Sequence, residues 1–168
     1  MIRDHWDDVL EVVTALAYLV KGCGPEGIEL YLTSNPEKPQ KARKDTSSSL
    51  VDFLRHRPKA GDPADGNLER NLGDILTRVK DKMSPRRLLQ SKSPPQSIYI
   101  LTDGLWDGRE DRCGVDMPIK TLVTEMRRQE INLNRTHVSI QFIRFGRDPV
   151  AKKWMDYLDN QLGADLQL

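Results

Sequence analysis

The sequence predicts an α/β protein with a doubly wound, mostly parallel sheet, and three observations predict it. First, Ser97-Ile98-Tyr99-Ile100-Leu101-Thr102-Asp103-Gly104 runs four apolar side chains together after a Pro-Pro break. A short uninterrupted run of this kind reads as a strand buried on both faces, which is what a parallel sheet covered by helices requires. Second, His137-Val138-Ser139-Ile140-Gln141-Phe142-Ile143-Arg144-Phe145 supplies a later strand. Third, amphipathic helical segments alternate with the candidate strands. Asp103 then falls just past the carboxyl end of its strand, where open α/β sheets place their ligands.

Each element has its own signal. Residues 3–21 repeat Trp6, Val9, Leu10, Val13, Leu16, Ala17 and Val20 at three- and four-residue intervals, with Val12 and Leu19 widening the stripe. Asp4, Asp7 and Asp8 suit the positive end of that helix, and Gly22 and Gly24 stop it. Gly27 to Thr33 reads as a strand, and Ser34 to Lys44 as a polar, solvated connection. Thr46 to His56 is a short helix capped by Thr46 or Ser47, and Arg57 to Gly66 is a loop punctuated by prolines and glycines. Asn67 caps a longer helix carrying Leu68, Leu72, Ile75, Leu76, Val79 and Met83 on one stripe.

Ser84 to Gln96 is a Pro- and Ser-rich connector. Past the Thr-Asp-Gly strand, Leu105 to Val115 forms a loop. Asp116 then caps a helix with Pro118 in its first turn and Ile119, Leu122, Val123 and Met126 facing inward. Gly146 turns the chain after the next strand, Asp148-Pro149 starts the last helix through Val150, Trp154, Tyr157 and Leu158, and Gly163 stops it. The 168 residues contain no internal repeat and no domain boundary.

Composition excludes several classes of function. A formal charge of +1 gives no general attraction to nucleic acid or to a membrane surface. The basic pairs Arg86-Arg87, Arg127-Arg128 and Lys152-Lys153 read as solvated helix ends. No apolar run approaches the roughly 20 residues of a membrane span, and no signal peptide is legible. Cys23 and Cys113 match no metal or redox spacing; a disulfide between them stays open, with reduced thiols in an intracellular, cytoplasmic protein the expectation. Neither G-x-G-x-x-G nor G-x-x-x-x-G-K-[ST] is present, so nucleotide phosphates lack their usual backbone cradle.

The ordered set of segments carries a resemblance. A long amphipathic helix, Gly-Ile-Glu-Leu-Tyr-Leu-Thr, the helix from Asn67, Ile-Tyr-Ile-Leu-Thr-Asp-Gly, and His-Val-Ser-Ile-Gln-Phe-Ile-Arg-Phe-Gly-Arg-Asp-Pro together resemble a von Willebrand factor type A (vWA) domain. The likeness is to the intracellular vWA proteins of filamentous fungi, and it runs from Met1 to about Leu162. It implies a single domain over residues 1–168, a three-layer α/β/α sandwich that lacks the first central strand and the last one.

The family's metal-ion-dependent adhesion site uses D-x-S-x-S after the first strand, a Thr from a later loop, and the Asp of Thr-Asp-Gly. Only Asp103 is in place. Where the family has its Thr, this sequence reads Asp65-Gly66-Asn67, so Asp65 and Asn67 are the remaining candidate ligands. Asp45-Thr46-Ser47-Ser48-Ser49 matches D-x-S-x-S literally, but it follows a polar stretch and lies beyond the first helix, so it reads as a helix start. Mg²⁺ needs several rigidly held oxygens in near-octahedral array. The resemblance therefore implies a degenerate site with no cofactor, and Mg²⁺ only if residues outside this chain supply ligands.

Two functions follow from different classes. The first is a non-catalytic protein-interaction module that binds an unidentified protein partner through Thr102, Asp103, Gly104, Trp106 and Asp107, with Trp106 as aromatic anchor. The second is a hydrolase or phosphatase-like enzyme using Asp103; it would need a second acid, a histidine or a lysine at the same edge. Asp107, Glu110 and Asp111 supply carboxylates only, so the binding reading is preferred. The strands at Ile28 and Ser97 are expected to pair with each other or to leave open edges that favour self-association.

Overall fold

The computed structural model describes residues 2–20, 27–33, 35–42, 48–56, 67–82, 96–105, 112–129 and 138–167. They form a mixed α/β structure with two small sheets, one antiparallel and one parallel. By their contacts they divide into two compact units, Met1–Gly66 and Asn67–Leu168.

In the first unit a 3-10 turn, Ile2–His5, leads into α1 (Trp6–Val20). Val9, Val13 and Ala17 recur every four residues and are buried. The buried stripe is narrower than the sequence suggests. Leu19 is 69% exposed, because two residues past Ala17 turns it roughly 200° around the helix from that line. α2 (Ser48–Arg55) contacts α1 and buries Leu50, Val51 and Leu54. Its start at Ser48 agrees with a helix opening in the Asp45–Ser49 stretch; Asp45, Thr46 and Ser47 lie outside the described residues.

β1 (Ile28–Leu32) and β2 (Asn35–Ala42) form an antiparallel hairpin. This corrects the expectation of a loop over Ser34–Lys44, and among the described residues β1 pairs with β2 and not with the strand at Ser97. The hairpin needs no apolar second strand. Ile28 and Leu30 lie opposite Ala42 and Gln40 on one face, and Glu29 faces Lys41 on the other, where they form an ion pair at 2.7 Å. The Tyr31 hydroxyl donates to Glu29 Oε2 at 2.6 Å. Pro36 and Pro39 are tolerable in such a strand because an edge position does not use every backbone N–H.

The second unit begins with α3 (Leu68–Lys82), and Asn67 caps it as the sequence predicts: Asn67 Oδ1 accepts the Arg70 N–H at 2.6 Å. Leu72, Leu76 and Val79 bury the expected stripe; Met83 lies outside the described residues. β3 (Gln96–Thr102) and β4 (Val138–Arg144) pair in parallel from Gln96↔Val138 to Thr102↔Arg144 with no break in register. α4 (Asp116–Arg128) lies between them in sequence, as a parallel crossover requires. α5 (Pro149–Asn160) and the short α6 (Leu162–Asp165) follow.

The core of this unit gathers Leu72, Leu76 and Val79 of α3, Ile100 of β3, and Leu122 and Met126 of α4, with Ile98, Ile140, Phe142 and Trp154 packed against it. Gly73 brings α3 within 3.8 Å of the Pro118 side chain at the place a Cβ would occupy, so the two helices approach closely there. The strands are not buried on both faces as expected. Ile100 and Thr102 are buried, Tyr99, Leu101 and Ile143 on the opposite face are only half-buried, and Ser97 and Gln141 are exposed. The reason is that α3, α4 and α5 all contribute to the cluster on the Ile98–Ile100 face.

Two helix boundaries differ from expectation. Asp116 is the first residue of α4 rather than its cap; Val115 holds the cap position with no side-chain hydrogen bond, and the Asp116 carboxylate bonds Lys120 instead. Gly163 lies inside α6 rather than ending a helix. Glycine costs about 1 kcal/mol there, but Leu162 and Leu166 bury against Val123 for roughly 1.5–3 kcal/mol each, so packing wins. Gln167 takes φ 52°, and Arg127 donates to the carbonyls of Leu166 and Gln167. Among the described residues no helix is long and apolar enough to cross a membrane.

Candidate functional site at the carboxyl end of β3

The end of β3 is a turn whose every group has a local task. Thr102 is buried; its carbonyl accepts the Phe145 N–H at 2.9 Å and its hydroxyl accepts the Gly104 N–H at 3.0 Å. Asp103 Oδ1 accepts the Leu105 N–H at 3.1 Å, an Asx-type turn. Gly104 adopts φ 80°, and a Cβ there would stand 2.6 Å from the Ala151 Cβ, so only glycine fits between the turn and α5. Asp103 is half-exposed, and Leu105 is 44% exposed.

β4 and α5 complete this edge. Arg144 pairs opposite Thr102; its stem passes 3.6 Å from the Gly104 Cβ position and its guanidinium donates to the Asp148 carbonyl at 3.2 Å. Asp148 caps α5, with Oδ1 accepting from Val150 N–H at 2.8 Å and Ala151 N–H at 3.1 Å, and Pro149 occupies the first turn. Sequence reasoning identified Asp148-Pro149 as a helix start but missed Arg144 and Ala151 as parts of this edge. The signal was present: in a parallel pair, residues that end adjacent strands sit side by side.

Of the residues predicted for the site, Thr102, Asp103 and Gly104 are contiguous here, while Asp65, Trp106 and Asp107 lie outside the described residues. Asn67 turns its Oδ1 to its own helix. The donor set tests poorly for a divalent cation, which takes about six oxygens. Thr102 Oγ1 is engaged by the Gly104 N–H and buried, and Asn67 Oδ1 is used as a cap. Among the described residues no three His, Cys, Asp or Glu side chains gather as a metal-binding group.

A second polar cluster lies between α4, α5 and α6. Lys120 Nζ donates to Asp116 Oδ2 at 2.6 Å and to the Tyr157 hydroxyl at 3.1 Å, and that hydroxyl lies 3.3 Å from Asp165 Oδ2. These hydrogen bonds hold the Lys120 ammonium charged to higher pH than an ordinary lysine. Cys113, a buried thiol, is pushed up to about 11 by burial and then by the nearby Asp116 carboxylate, which makes it a poor nucleophile at neutral pH. Cys23 lies outside the described residues. This cluster ties three helices together.

Comparison of the chain with protein-family models, with curated proteins and with solved structures returned no match.

Proposed function

We infer that the chain is a non-catalytic protein-interaction module of the vWA type, a three-layer α/β/α fold with a degenerate metal site, working inside the cell on a protein partner. The observation that carries this reading is the turn Thr102-Asp103-Gly104-Leu105 at the carboxyl end of a strand in a parallel pair. Its backbone is fixed by the Thr102 and Asp103 hydrogen bonds and by the tight approach of Gly104 to Ala151. A turn held this way presents the Asp103 carboxylate beside the Leu105 side chain without first having to be ordered, and preorganisation of that kind lowers the cost of binding. Thr102 and Gly104 act by shaping the turn; Asp103 and Leu105, with Trp106 next in sequence, meet the partner.

Proximity labelling in cells, followed by binding of the purified partner to the purified chain, tests this. Asp103→Ala and Leu105→Asp each weaken binding by about tenfold or more, Ser97→Ala does not, and chelation of divalent ions changes nothing. Low-micromolar Mg²⁺ binding lost in Asp103→Ala would overturn the degenerate-site reading. Hydrolase or phosphatase turnover lost in Asp103→Asn would replace it with an enzyme.

A further inference from the structure

Away from Asp103, the second unit carries an apolar groove of about 420 Å³. Ile119 of α4, Ile140 and Phe142 of β4, Leu158 of α5, and Leu162 and Leu166 line it. The volume falls in the roughly 300–1,000 Å³ range of ligand sites. Ile119, Ile140, Phe142 and Leu158 stay half-buried around it, so an aliphatic occupant would remove apolar surface from water on several sides. Gln141 lines the groove as well as its two neighbours. Ile140, Gln141 and Phe142 are consecutive in β4, so the groove runs along the strand. That shape suits an extended chain.

The charged residue that lines the groove is an aspartate, Asp159. From Trp154 to Leu168 there are three aspartates and no lysine or arginine. Asp156 is paired with Lys152 at 2.6 Å, and Asp165 accepts from Tyr157. Asp159 lines the groove, is exposed, and has no partner among the described residues. The bases on α4 are committed elsewhere, Arg127 to the carbonyls of Leu166 and Gln167, Lys120 to Asp116 and Tyr157, and Arg128 to Glu125. We propose that this groove binds an extended peptide of a partner protein in which aliphatic side chains flank a lysine or arginine. The aliphatic groups fill the groove and the cation lies against Asp159. The proposal stands apart from the Asp103 edge and does not depend on how that edge is used.

Gly163 supplies a clean test. It lines the groove, and a Cβ built on it meets nothing within 4 Å, so a large side chain there fills the groove without a backbone clash. Gly163→Phe also replaces a helical glycine by a better helix former. The full chain is titrated with acetyl-Leu-Lys-Leu-Lys-Leu-amide and with its glutamate counterpart, following backbone amide shifts. The lysine peptide is expected to move the signals of Gln141, Asp159 and Gly163 and to bind about fivefold tighter than the glutamate peptide, a preference that Asp159→Lys reverses. Gly163→Phe is expected to abolish the shifts while the cooperative melt is kept. No shifts at these residues, equal binding of both peptides, or binding that persists in Gly163→Phe would overturn the proposal. So would concentration-dependent dimerisation that Gly163→Phe abolishes, which would assign the groove to a second copy of the chain.

Discussion

The two sheets of this protein are built on opposite terms. β1 and β2 are joined by two residues, so the hairpin closes with little loop entropy, and a polar second strand suffices. β3 and β4 are joined through a whole helix, so their pairing must be supported by a buried face, and their sequences are correspondingly apolar. The hairpin is marked by a cross-strand ion pair at its surface, Glu29 with Lys41. The parallel pair is marked by a backbone contact that tolerates no side chain, Gly104 against Ala151. The lesson is that strand strength in this chain follows connection length: the local pair needs little from its residues, and the distant pair needs a great deal.

The sharpest way to break that contrast is at Gly104. Alanine there must hold φ 80° and push a methyl group against Ala151, with the α5 backbone only slightly farther away at 3.2 Å. Left-handed strain of about 1–2 kcal/mol and overpacking of about 1–3 kcal/mol give an expected loss of about 2–5 kcal/mol. Hydrogen exchange read segment by segment checks it: protection falls in β3, β4 and α5 and is unchanged in β1 and β2. A loss below about 0.5 kcal/mol would mean that α5 moves aside freely and the turn is not fixed.

The next largest effect is on pH dependence, and it too separates the units. Cys113 in the folded chain holds its proton to about 11 against an ordinary 9.0, so between these values the unfolded chain loses the proton first. Stability of the second unit is therefore full below pH 9 and declines as the pH rises toward 11, by on the order of 2 kcal/mol. Lys120 acts in the same direction: its raised folded-state value makes its contribution complete below 10.5 and lost above it. Melts of Cys113→Ala between pH 8 and 10 should be flatter than those of the parent chain, and identical slopes would remove burial of the thiol as the cause.

What was legible in the sequence follows the same division. The apolar run before Thr102 announced β3, and the Asp148-Pro149 and Asn67 caps announced α5 and α3, because each signal is local and chemically specific. β2 was not legible: Asn35 to Ala42 is polar and holds two prolines, and its strand character comes from β1 beside it rather than from its own residues. Gly163 was misread for a related reason, since the packing of Leu162 and Leu166 on Val123 is tertiary and outweighs the local preference of glycine. At the Asp103 edge the turn itself was readable, but Arg144 and Ala151 enter only through the register of β4 and the approach of α5. The half-exposed second face of β3 could not be read from its apolar run, which gives the hydrophobicity of a strand and not the number of helices that cover it.

The Asp148 cap sharpens the comparison at a smaller scale. Asp148→Ala removes the acceptor of two backbone N–H groups and should cost about 1 kcal/mol. Because α5 leans on Gly104, the cap also steadies the turn. Asp148→Asn retains an acceptor oxygen and should recover most of the loss. Chemical denaturation of both variants, followed by Trp154 fluorescence in a Trp6→Phe, Trp106→Phe background, separates the two; equal losses would show that charge, and not the hydrogen bonds, holds the end of the helix.

The smallest effect is expected in the hairpin. Lys41 and Glu29 form their ion pair with the lysine side chain largely in water, where solvent screening leaves such pairs about 0.2–1 kcal/mol at most. Lys41→Ala should thus lower the stability of the first unit by no more than about 0.5 kcal/mol, and 0.5 M salt should lower the parent chain by a similar amount. Glu29 also accepts from Tyr31, so Glu29→Ala removes two contacts and should cost slightly more than Lys41→Ala. If either change instead unzipped β2, with exchange of its amides becoming as fast as in an unfolded peptide, the hairpin would depend on that pair as heavily as the parallel sheet depends on Gly104. Connection length would then no longer explain why one sheet needed an apolar sequence and the other did not.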